Sequence, residues 1–553
     1  MAKAEIIQID FSGGMNTRVE SSKLEANEYT FLQNGRVRNK TVSPIKLPKL
    51  LTFTGIPVEL KRQGIYALGP YVLVFAGGRA FYTRYEDDAV TFQEIYNFNM
   101  DPTVDVIYAK AVPASPSSYL RTLTTTQNSN KAISLASPVT GRPAIIICQD
   151  GVNQPRGIAA DASVRSLNTY EEWSIDNQEY VPIGKQMAYS DGILYIVAPD
   201  GRTILRSLRG RPTDFVINID NDGFKNGDAY TTAHSVGYND ITAIAPVQGN
   251  ADIKLMVCSN SSTDIMTILS NDDFFGEPRY ANIPIMATGA TKQEAVFTSL
   301  GDMTVIDSIG IRSFNATKQL LTEANNDVFS GPVSDLFTYK SKPIIQDISA
   351  VGAYDNYVHY AVKTKYGYGI LVYDLILKVF VSFDQYPGVN AIVQFAEVKL
   401  NGKYKLLFLT VDGDIYEAYG STATATAQFV PKAVTTNTPR AQLLQPYFHA
   451  QFNNITTSGM IIATALIDRS AYNFSGYNVN PIVSTPATPY PLNNEEENDV
   501  YPVTFTGRNL KAGYSIGVRY SWNFDGELLS VETSATTTTD LVSGPQRGSI
   551  SRV

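Results

Sequence analysis

Apolar residues in this chain are grouped into short runs that are separated by turn signals. In the clearest example, the apolar run 192–198 meets a Pro-Asp-Gly turn at Asp200-Gly201 and a second run starts at Thr203. An Asp-Gly pair between two apolar runs favours a tight hairpin, because both turn positions tolerate a positive φ. This stretch therefore predicts two antiparallel β-strands.

The same unit recurs along the chain. Similar pairs of runs are 71–75 with 80–82, 144–148 followed by Asp150-Gly151, 254–258 with 265–269, 303–306 with 310–314, 369–373 with 378–383, and 405–409 with 414–416. Together they make about seven units, about 35 to 75 residues apart, a spacing typical of sheet-like blades with loops of variable length. We predict an all-β fold, with a β-propeller of about six to seven blades.

The pattern divides the chain into three parts. Residues 1–50 hold an N-terminal strand, a short helix and a basic segment, residues 51–420 hold the propeller, and residues 421–553 form a C-terminal β domain. Residues 6–11 have the apolar, β-branched content of a strand, and residues 23–32 predict a helix with Leu24 and Phe31 on one face. We expect strand 6–11 to complete the last blade near residue 419 and so close the ring.

A basic segment follows the predicted helix. Residues 35–49 contain no acidic side chain and carry five basic ones: Arg36, Arg38, Lys40, Lys46 and Lys49. One interpretation is a solvated strand edge that its charges protect from aggregation. The other is a contact with an acidic partner or with phosphate.

The C-terminal domain begins after a Ser-, Thr- and Ala-rich passage at 419–439. Runs 460–467 and 501–505 predict strands, and run 514–524 predicts a hairpin through Asp525-Gly526 to 528–532. A small β-sandwich is the natural packing for such strands. We expect residues 476–499 to form an exposed loop and the tail 536–553 to be loosely held.

Composition limits the partners and the compartment. The formal net charge is −8, so the chain as a whole is not built to grip DNA, and only 18% of its residues are charged, whereas it contains 33 tyrosines. Both cysteines, Cys148 and Cys258, lie in apolar runs, which indicates buried, reduced thiols. No secretory signal and no transmembrane run is evident, so we expect folding in a reducing cytoplasm.

Catalytic and metal-binding patterns are weak. The histidines, His234, His359 and His449, are far apart, with none at metal-ligand spacing. The string Gly513-Tyr-Ser515-Ile-Gly517 fits a nucleophile elbow, but a predicted strand follows where a helix is required. Residues 218–223 resemble the start of a calcium loop, yet position twelve is Ala229 rather than glutamate. We predict no enzymatic activity, no cofactor and no bound metal.

The N-terminal residues carry a family resemblance. The string Phe11-Ser-Gly13-Gly14-Met15-Asn16-Thr-Arg18, followed by 32–38, Leu-Gln-Asn-Gly-Arg-Val-Arg, is similar to the start of the packaged-DNA stabilisation, tail-hub or nozzle proteins of short-tailed bacteriophages. The units at 184–216 and 304–314 are similar to their recurrent blade motif. The resemblance covers about residues 5 to 420 and does not extend to the C-terminal quarter.

The resemblance implies a virion protein of the tail, assembled in the bacterial cytoplasm. It implies a homo-oligomeric ring, typically a hexamer, that extends the portal channel below a portal or head-tail adaptor ring and carries tail fibres or spikes. Double-stranded DNA would pass through the lumen without sequence-specific binding. Candidate assembly-interface residues are Gly13, Gly14, Met15, Asn16, Arg36, Arg38 and Lys40.

Two other functions stay open on the sequence. One is a receptor- or carbohydrate-binding propeller protein, also of a phage tail. The other is a propeller enzyme that acts on glycans, since Asp200-Gly201 and Asp412-Gly413 are similar to the aspartate turns of sialidase propellers, although the tryptophan of that motif is missing. For a DNA conduit we expect polar or acidic lumen loops and a basic segment, 36–49, that faces protein.

Overall fold

In the computed structural model nearly all of the regular secondary structure is β-strand. The structure describes the whole chain except residues 1–2, 86–89, 114–143, 159–163, 167–180, 191, 208–209, 211, 214, 216–217, 220–224, 227–229, 234–238, 247–252, 272–277, 300–301, 315–328, 401–402, 437–441, 455–458, 468–483, 488–500, 507–513 and 538–553.

Seven antiparallel sheets follow one another between residues 62 and 417. Their strands are Arg62–Leu68, Tyr71–Ala76, Arg79–Arg84 and Gln93–Ile95 (sheet 1); Tyr108–Pro113, Ala144–Gln149, Arg156–Ile158 and Val164–Ser166 (sheet 2); Met187–Ser190, Ile193–Val197, Thr203–Arg206 and Tyr230–Ala233 (sheet 3); Ala243–Ala245, Ile253–Cys258, Thr263–Asn271 and Pro278–Met286 (sheet 4); Val296–Ser299, Asp302–Ile306 and Ile311–Ser313 (sheet 5); Ala350–Tyr354, Tyr357–Thr364, Gly367–Asp374 and Val379–Asp384 (sheet 6); and Ile392–Leu400, Lys403–Thr410 and Ile415–Glu417 (sheet 7). Each of the seven predicted units forms two adjacent strands of one sheet, which confirms that part of the sequence prediction.

The seven sheets form a closed cycle. The first strand of each sheet packs beside the first strand of the next, and Ile392–Leu400 of sheet 7 returns to Arg62–Leu68 of sheet 1. Apolar clusters lie between neighbouring sheets, as where Tyr195 and Val197 of sheet 3 meet Leu255 and Val257 of sheet 4. Sheets that pack face to face around a common axis have the arrangement of a β-propeller, and the predicted fold class is confirmed at that level.

A strand from the N-terminal part of the chain completes sheet 7. Lys49–Leu50 pairs antiparallel with Ile415–Glu417, so that Leu50 lies opposite Tyr416. The prediction that residues 6–11 perform this closure is wrong. The observed first strand, Lys3–Gln8, pairs instead with Glu527–Thr537 near the end of the chain. Strand content at 6–11 was recognisable, but its pairing partner is set by contacts hundreds of residues away.

Two larger sheets lie outside the ring. The first large sheet contains Lys3–Gln8, Gly35–Arg38, Thr41–Pro44, Leu443–Asn453, Tyr501–Thr506 and Glu527–Thr537, and the second contains Phe31–Gln33, Ala427–Val430, Val434–Thr435, Gly459–Ile467, Ser484–Ala487 and Ser515–Trp522. Phe452 of the first sheet packs edge-on against Trp522 of the second, with ring centroids 5.5 Å apart. The two sheets therefore share one apolar core, which also takes in side chains of sheets 5 and 6.

The predicted division at residue 50 does not separate two structural units. Strands from residues 3–44 are integral members of both large sheets, alongside strands from residues 427–537. The chain thus begins in the large sheets, passes through the ring, and returns to the large sheets. The last strand of sheet 7 in chain order ends at Glu417, and the next strand, Ala427–Val430, belongs to the second large sheet.

Two local predictions are wrong. Residues 23–32 form no helix and contain the strand Glu28–Tyr29 and the start of Phe31–Gln33. Four consecutive residues, 29–32, are buried, which a one-sided amphipathic helix does not allow. The Asp525-Gly526 turn makes no hairpin, because Ser515–Trp522 and Glu527–Thr537 belong to different large sheets.

Short elements complete the described structure. Two-stranded pairs join Gly14–Met15 with Glu28–Tyr29, Phe53–Thr54 with Val90–Thr91, Asn218–Ile219 with Lys225–Asn226, and Thr338–Tyr339 with Lys342–Pro343; the 3₁₀ helices are Gln293–Ala295 and Gly331–Phe337. In the described part of the chain, no helix is long and apolar enough to cross a membrane. Cys148 and Cys258 are buried free thiols, as predicted.

Several sequence predictions fall partly or wholly outside the described residues. The tail beyond residue 537, His234 and Ala229 are among them. The predicted loop 476–499 also lies mostly there, but Ser484–Ala487 within it is a strand paired with Gly459–Ile467, so that part of the prediction is wrong.

Candidate functional site

The segment that carries the family resemblance is packed into the joint between sheet 6 and the large sheets. Gly14–Met15 pairs in parallel with Glu28–Tyr29, and Met15 is buried. Gly14 has φ +81°, and a Cβ at this position would lie 2.6 Å from the Cβ of Val379 at the outer strand of sheet 6. Glycine is required here both by the backbone angle and by the close approach.

The neighbouring residues hold the same turn. The backbone nitrogen of Gly13 donates to the carbonyl oxygen of Asn27 at 3.0 Å. The backbone nitrogen of Asn16 donates to the Tyr29 carbonyl oxygen at 2.9 Å, and its side-chain amide donates to the Glu28 carboxylate at 3.0 Å. These residues, predicted as an assembly interface, therefore make well-defined contacts within their own chain.

Arg36 is the centre of a buried polar cluster at the joint. Its guanidinium forms an ion pair with Asp384 at 2.6 Å, and both side chains are almost fully buried. It also donates to the Ser382 hydroxyl at 2.7 Å and to the Tyr419 hydroxyl. This cluster connects a strand of the first large sheet to the outer strand of sheet 6 and to the end of sheet 7, because Tyr419 follows that sheet directly.

Burial and the Arg36 charge together set the protonation states of the cluster. Burial disfavours the charged form of Arg36, but the neighbouring Asp384 carboxylate outweighs it and raises the pKa of Arg36. Burial, reinforced by the positive charge of Arg36, lowers the pKa of His359 well below its usual value. Burial also raises the pKa of Tyr419. The imidazole of His359 is therefore neutral as it shares a hydrogen bond with the Tyr419 hydroxyl.

Three other basic residues of the segment form ion pairs with acids of the same chain at or near the surface. Arg38 contacts Asp355 at 3.1 Å, and Lys40 contacts Asp10 at 3.5 Å. Lys46 contacts Asp525 at 2.6 Å. The sequence predicted a solvated edge, or a contact with an acidic partner or with phosphate. The structure supplies the acidic partner from distant parts of the same chain.

A cavity of about 520 Å³ lies among the first strands of the ring. Its walls come from sheets 1, 2, 3, 5, 6 and 7. The polar and aromatic lining includes Tyr66, Tyr108, Lys110, Glu294, Glu397, Lys399 and Tyr404. Sequence reasoning missed this site, because its residues come from separate strands and share no local motif.

Burial shifts the ionisation of the cavity residues. It raises the pKa of Glu294, and Lys292 counteracts the shift in part. Burial also lowers the pKa of Lys110, for which no opposing charge contributes. For Glu397, burial raises the pKa while Lys399 works in the opposite direction.

The catalytic patterns considered in the sequence do not form a reactive arrangement in the described residues. Ser515 begins the strand Ser515–Trp522, so the strand–turn–helix geometry of a nucleophile elbow is not formed there. His359 lies in the joint, whereas the ring of His449 contacts Thr504 in the first large sheet. Within the described residues, no group of three His, Cys, Asp or Glu side chains could hold a metal ion.

Recurrent aspartates stabilise the turns of the sheets. One carboxylate oxygen of Asp150 accepts from the backbone nitrogens of residues 152 and 153. Asp200 accepts in the same way from residues 202 and 203, and Asp307 from residues 309 and 310. Such Asx turns close a loop through its own backbone, which is a structural use of the aspartate motif seen in the sequence.

Exposed apolar side chains gather on connections of two kinds, those between second and third strands and those that lead into the first strand of a sheet. They are Val58, Tyr96, Val152, Ile309, Tyr339, Ile345 and Val411. In a propeller of antiparallel four-stranded sheets, both kinds of connection emerge at the same end of the ring. We call this set the apolar end. Exposed apolar side chains at one end of a ring are a candidate interaction surface where they form a contiguous patch.

Comparison with known proteins yields little. No family model matches the chain, and no curated protein matches it. One similar solved structure is the N-terminal domain of Nup159, with 10% sequence identity and a TM-score of 0.28, covering 75% of this chain and 96% of that one. A TM-score this low supports no conclusion about this chain.

Proposed function

We propose that the chain is a structural subunit of a short phage tail. In this proposal, six copies form a nozzle or hub ring that extends the portal channel, retains the packaged DNA and conducts it during ejection. Each subunit would contribute a seven-bladed propeller, one blade for each of the seven sheets, and a β-sandwich built from the two large sheets.

The proposal rests on where the residues that resemble the nozzle proteins lie in the structure. Gly14 and Arg36, which belong to the two N-terminal strings that resemble the nozzle proteins, lie in the joint between the ring and the large sheets. These residues specify how the two parts are held together. A resemblance that includes such positions supports a shared architecture, and the function proposed here rests on that likeness.

Surface properties support the same role. The apolar end offers a surface of the kind that is covered in an assembly. The acidic balance of the chain, −8, suits a conduit, because each phosphate that a protein neutralises strengthens its hold on DNA. Candidate interface residues Arg38 and Lys40 remain at the surface.

The test is the mass of the protein in solution, alone and after addition of the purified portal or adaptor ring. Light scattering should give a complex that contains six copies of the 60.6-kDa chain. A subunit that stays monomeric in both samples and instead binds bacterial surface glycans would contradict the proposal and favour the receptor-binding alternative.

A further inference from the structure

The cavity inside the ring is lined by two acidic and two basic side chains, those of Glu294, Glu397, Lys110 and Lys399. Glu294 is compensated by Lys292, and Glu397 by Lys399, since each lysine opposes the effect of burial on its acid. Lys110 has no such neighbour. Within the described residues, its ammonium makes no ion pair, and burial is the sole influence on its pKa.

A buried ammonium without a counter-charge is unfavourable. Removing an ion from water is costly unless a partner or a hydrogen-bond network replaces the solvent. Lys110 is held on the innermost strand Tyr108–Pro113 of sheet 2, where its side chain lines the cavity. A negatively charged ligand in the cavity would supply the counter-charge that the described residues do not.

Neighbouring groups are suited to such a ligand. The hydroxyl of Tyr66 accepts a hydrogen bond from the backbone nitrogen of Ala111 at 2.9 Å, which leaves its own proton available for donation. The side chains of Tyr108 and Tyr404 form an aromatic part of the cavity wall. The volume, about 520 Å³, lies within the range of about 300–1,000 Å³ that is usual for small-molecule sites.

We propose that this cavity binds a small organic anion whose carboxylate or phosphate group pairs with Lys110. Tyr66 donates a second hydrogen bond to the anionic group, and the aromatic wall contacts the rest of the ligand. The site is separate from the joint and from the apolar end, so it goes beyond the role proposed above. A ligand that bridges the inner strands stabilises the ring, because it binds the folded state only.

Thermal unfolding of the full-length protein tests the proposal. Citrate, glutamate and inorganic phosphate are added separately at about 10 mM, each against sodium chloride of equal ionic strength. At least one should raise the Tm of the wild type by several degrees, with saturable binding by calorimetry. Citrate or glutamate acting alone identifies a carboxylate ligand, and phosphate acting alone identifies a phosphorylated one.

Two variants show whether Lys110 is responsible. Lys110→Met should weaken binding at least tenfold and should not lower the Tm of the ligand-free protein, because it removes a buried charge that lacks a partner. Lys342→Met, at an exposed lysine outside the cavity, should bind as the wild type does. The proposal is overturned if none of the three anions shifts the wild-type Tm beyond the salt control. It is equally overturned if Lys110→Met retains full binding.

Discussion

The side-chain oxygen of Gln394 lies 2.8 Å from the backbone nitrogen of Ile65 and accepts its hydrogen bond. Gln394 is on the first strand of sheet 7, and Ile65 is on the first strand of sheet 1. The bond therefore crosses the seam at which the ring closes. A similar link joins sheet 4 to the 3₁₀ helix before sheet 5, where Gln293 both donates to and accepts from the backbone of Ile244.

Replacement of Gln394 should weaken the seam. In Gln394→Leu the Ile65 nitrogen loses its partner, and an unsatisfied buried donor costs about 1–3 kcal/mol. Urea unfolding should show a free energy of unfolding that is lower by this amount. Gln93→Leu, at an exposed glutamine, should change it by less than about 0.5 kcal/mol. If both substitutions changed the free energy of unfolding equally, the hydrogen bond between Gln394 and Ile65 would not stabilise the ring.

Breaking the buried Arg36–Asp384 ion pair should lower the free energy of unfolding far more than breaking the neighbouring surface pair. Arg36→Met leaves the Asp384 carboxylate buried without its cation, which costs about 3–5 kcal/mol. Arg38→Met, which breaks the exposed contact with Asp355, should cost less than about 1 kcal/mol.

A double variant separates the ion pair from simple packing. Arg36→Met combined with Asp384→Leu removes both charges and should recover part of the stability lost in Arg36→Met alone. Strictly additive losses in urea unfolding would mean that the two side chains do not act as a pair.

The difference between local and distant contacts explains what the sequence could predict. Hairpins such as the one at Asp200-Gly201 are specified by a turn and its two flanking apolar runs, so the sequence predicts them correctly. The partner of Arg36 is Asp384, 348 residues away, and no local pattern connects them. The prediction at Asp525-Gly526 failed for the same reason. A turn sequence is the same whether the two flanking strands pair in one sheet or belong to two different sheets.

Ring closure shows this limit most clearly. The strand that completes sheet 7, Lys49–Leu50, has only two residues, and Leu50 is half exposed. Its sequence carries almost no strand pattern, whereas residues 6–11 look like a better strand. Pairing is decided by which sheet edge each segment can reach, and this depends on the whole fold.

Asp150 should make stability depend on pH in the acid range. Burial raises its pKa, but hydrogen bonds from the backbone of Asp101, Val152 and Asn153 outweigh burial, and the net pKa is lowered. A lowered carboxyl pKa adds stability above the unfolded-state pKa of about 3.9, and this stability is lost as the pH falls through the lower folded-state value.

Asp150→Asn should consequently be less stable than the wild type at pH 7, by about 1 kcal/mol or more, with a difference that shrinks below about pH 4. The control is Asp105→Asn, at a carboxylate that is 90% exposed and should show little difference at either pH. Urea unfolding at pH 7, 5, 4 and 3 gives the profile. A deficit of Asp150→Asn that stays constant down to pH 3 would contradict this role of the carboxylate.

The apolar end should be needed for assembly. A lysine at Ile345, which is 73% exposed there, places a charge in the proposed contact and should reduce ring formation without unfolding the subunit. Ile376→Lys is the matched control, because Ile376 is similarly exposed, at 69%, on a connection between the third and fourth strands of sheet 6. Light scattering should detect the loss for Ile345→Lys alone. Normal assembly of both variants would exclude this end as the contact surface.

The proposed role is tested most directly by cryo-electron microscopy of intact phage particles whose tails contain this chain. The expected map shows six copies in a closed ring below the portal, coaxial with it, around a lumen that is lined by polar or acidic loops and filled by duplex DNA. Copies located only at the tips of peripheral fibres or spikes, with none around the DNA channel, would contradict the proposed role.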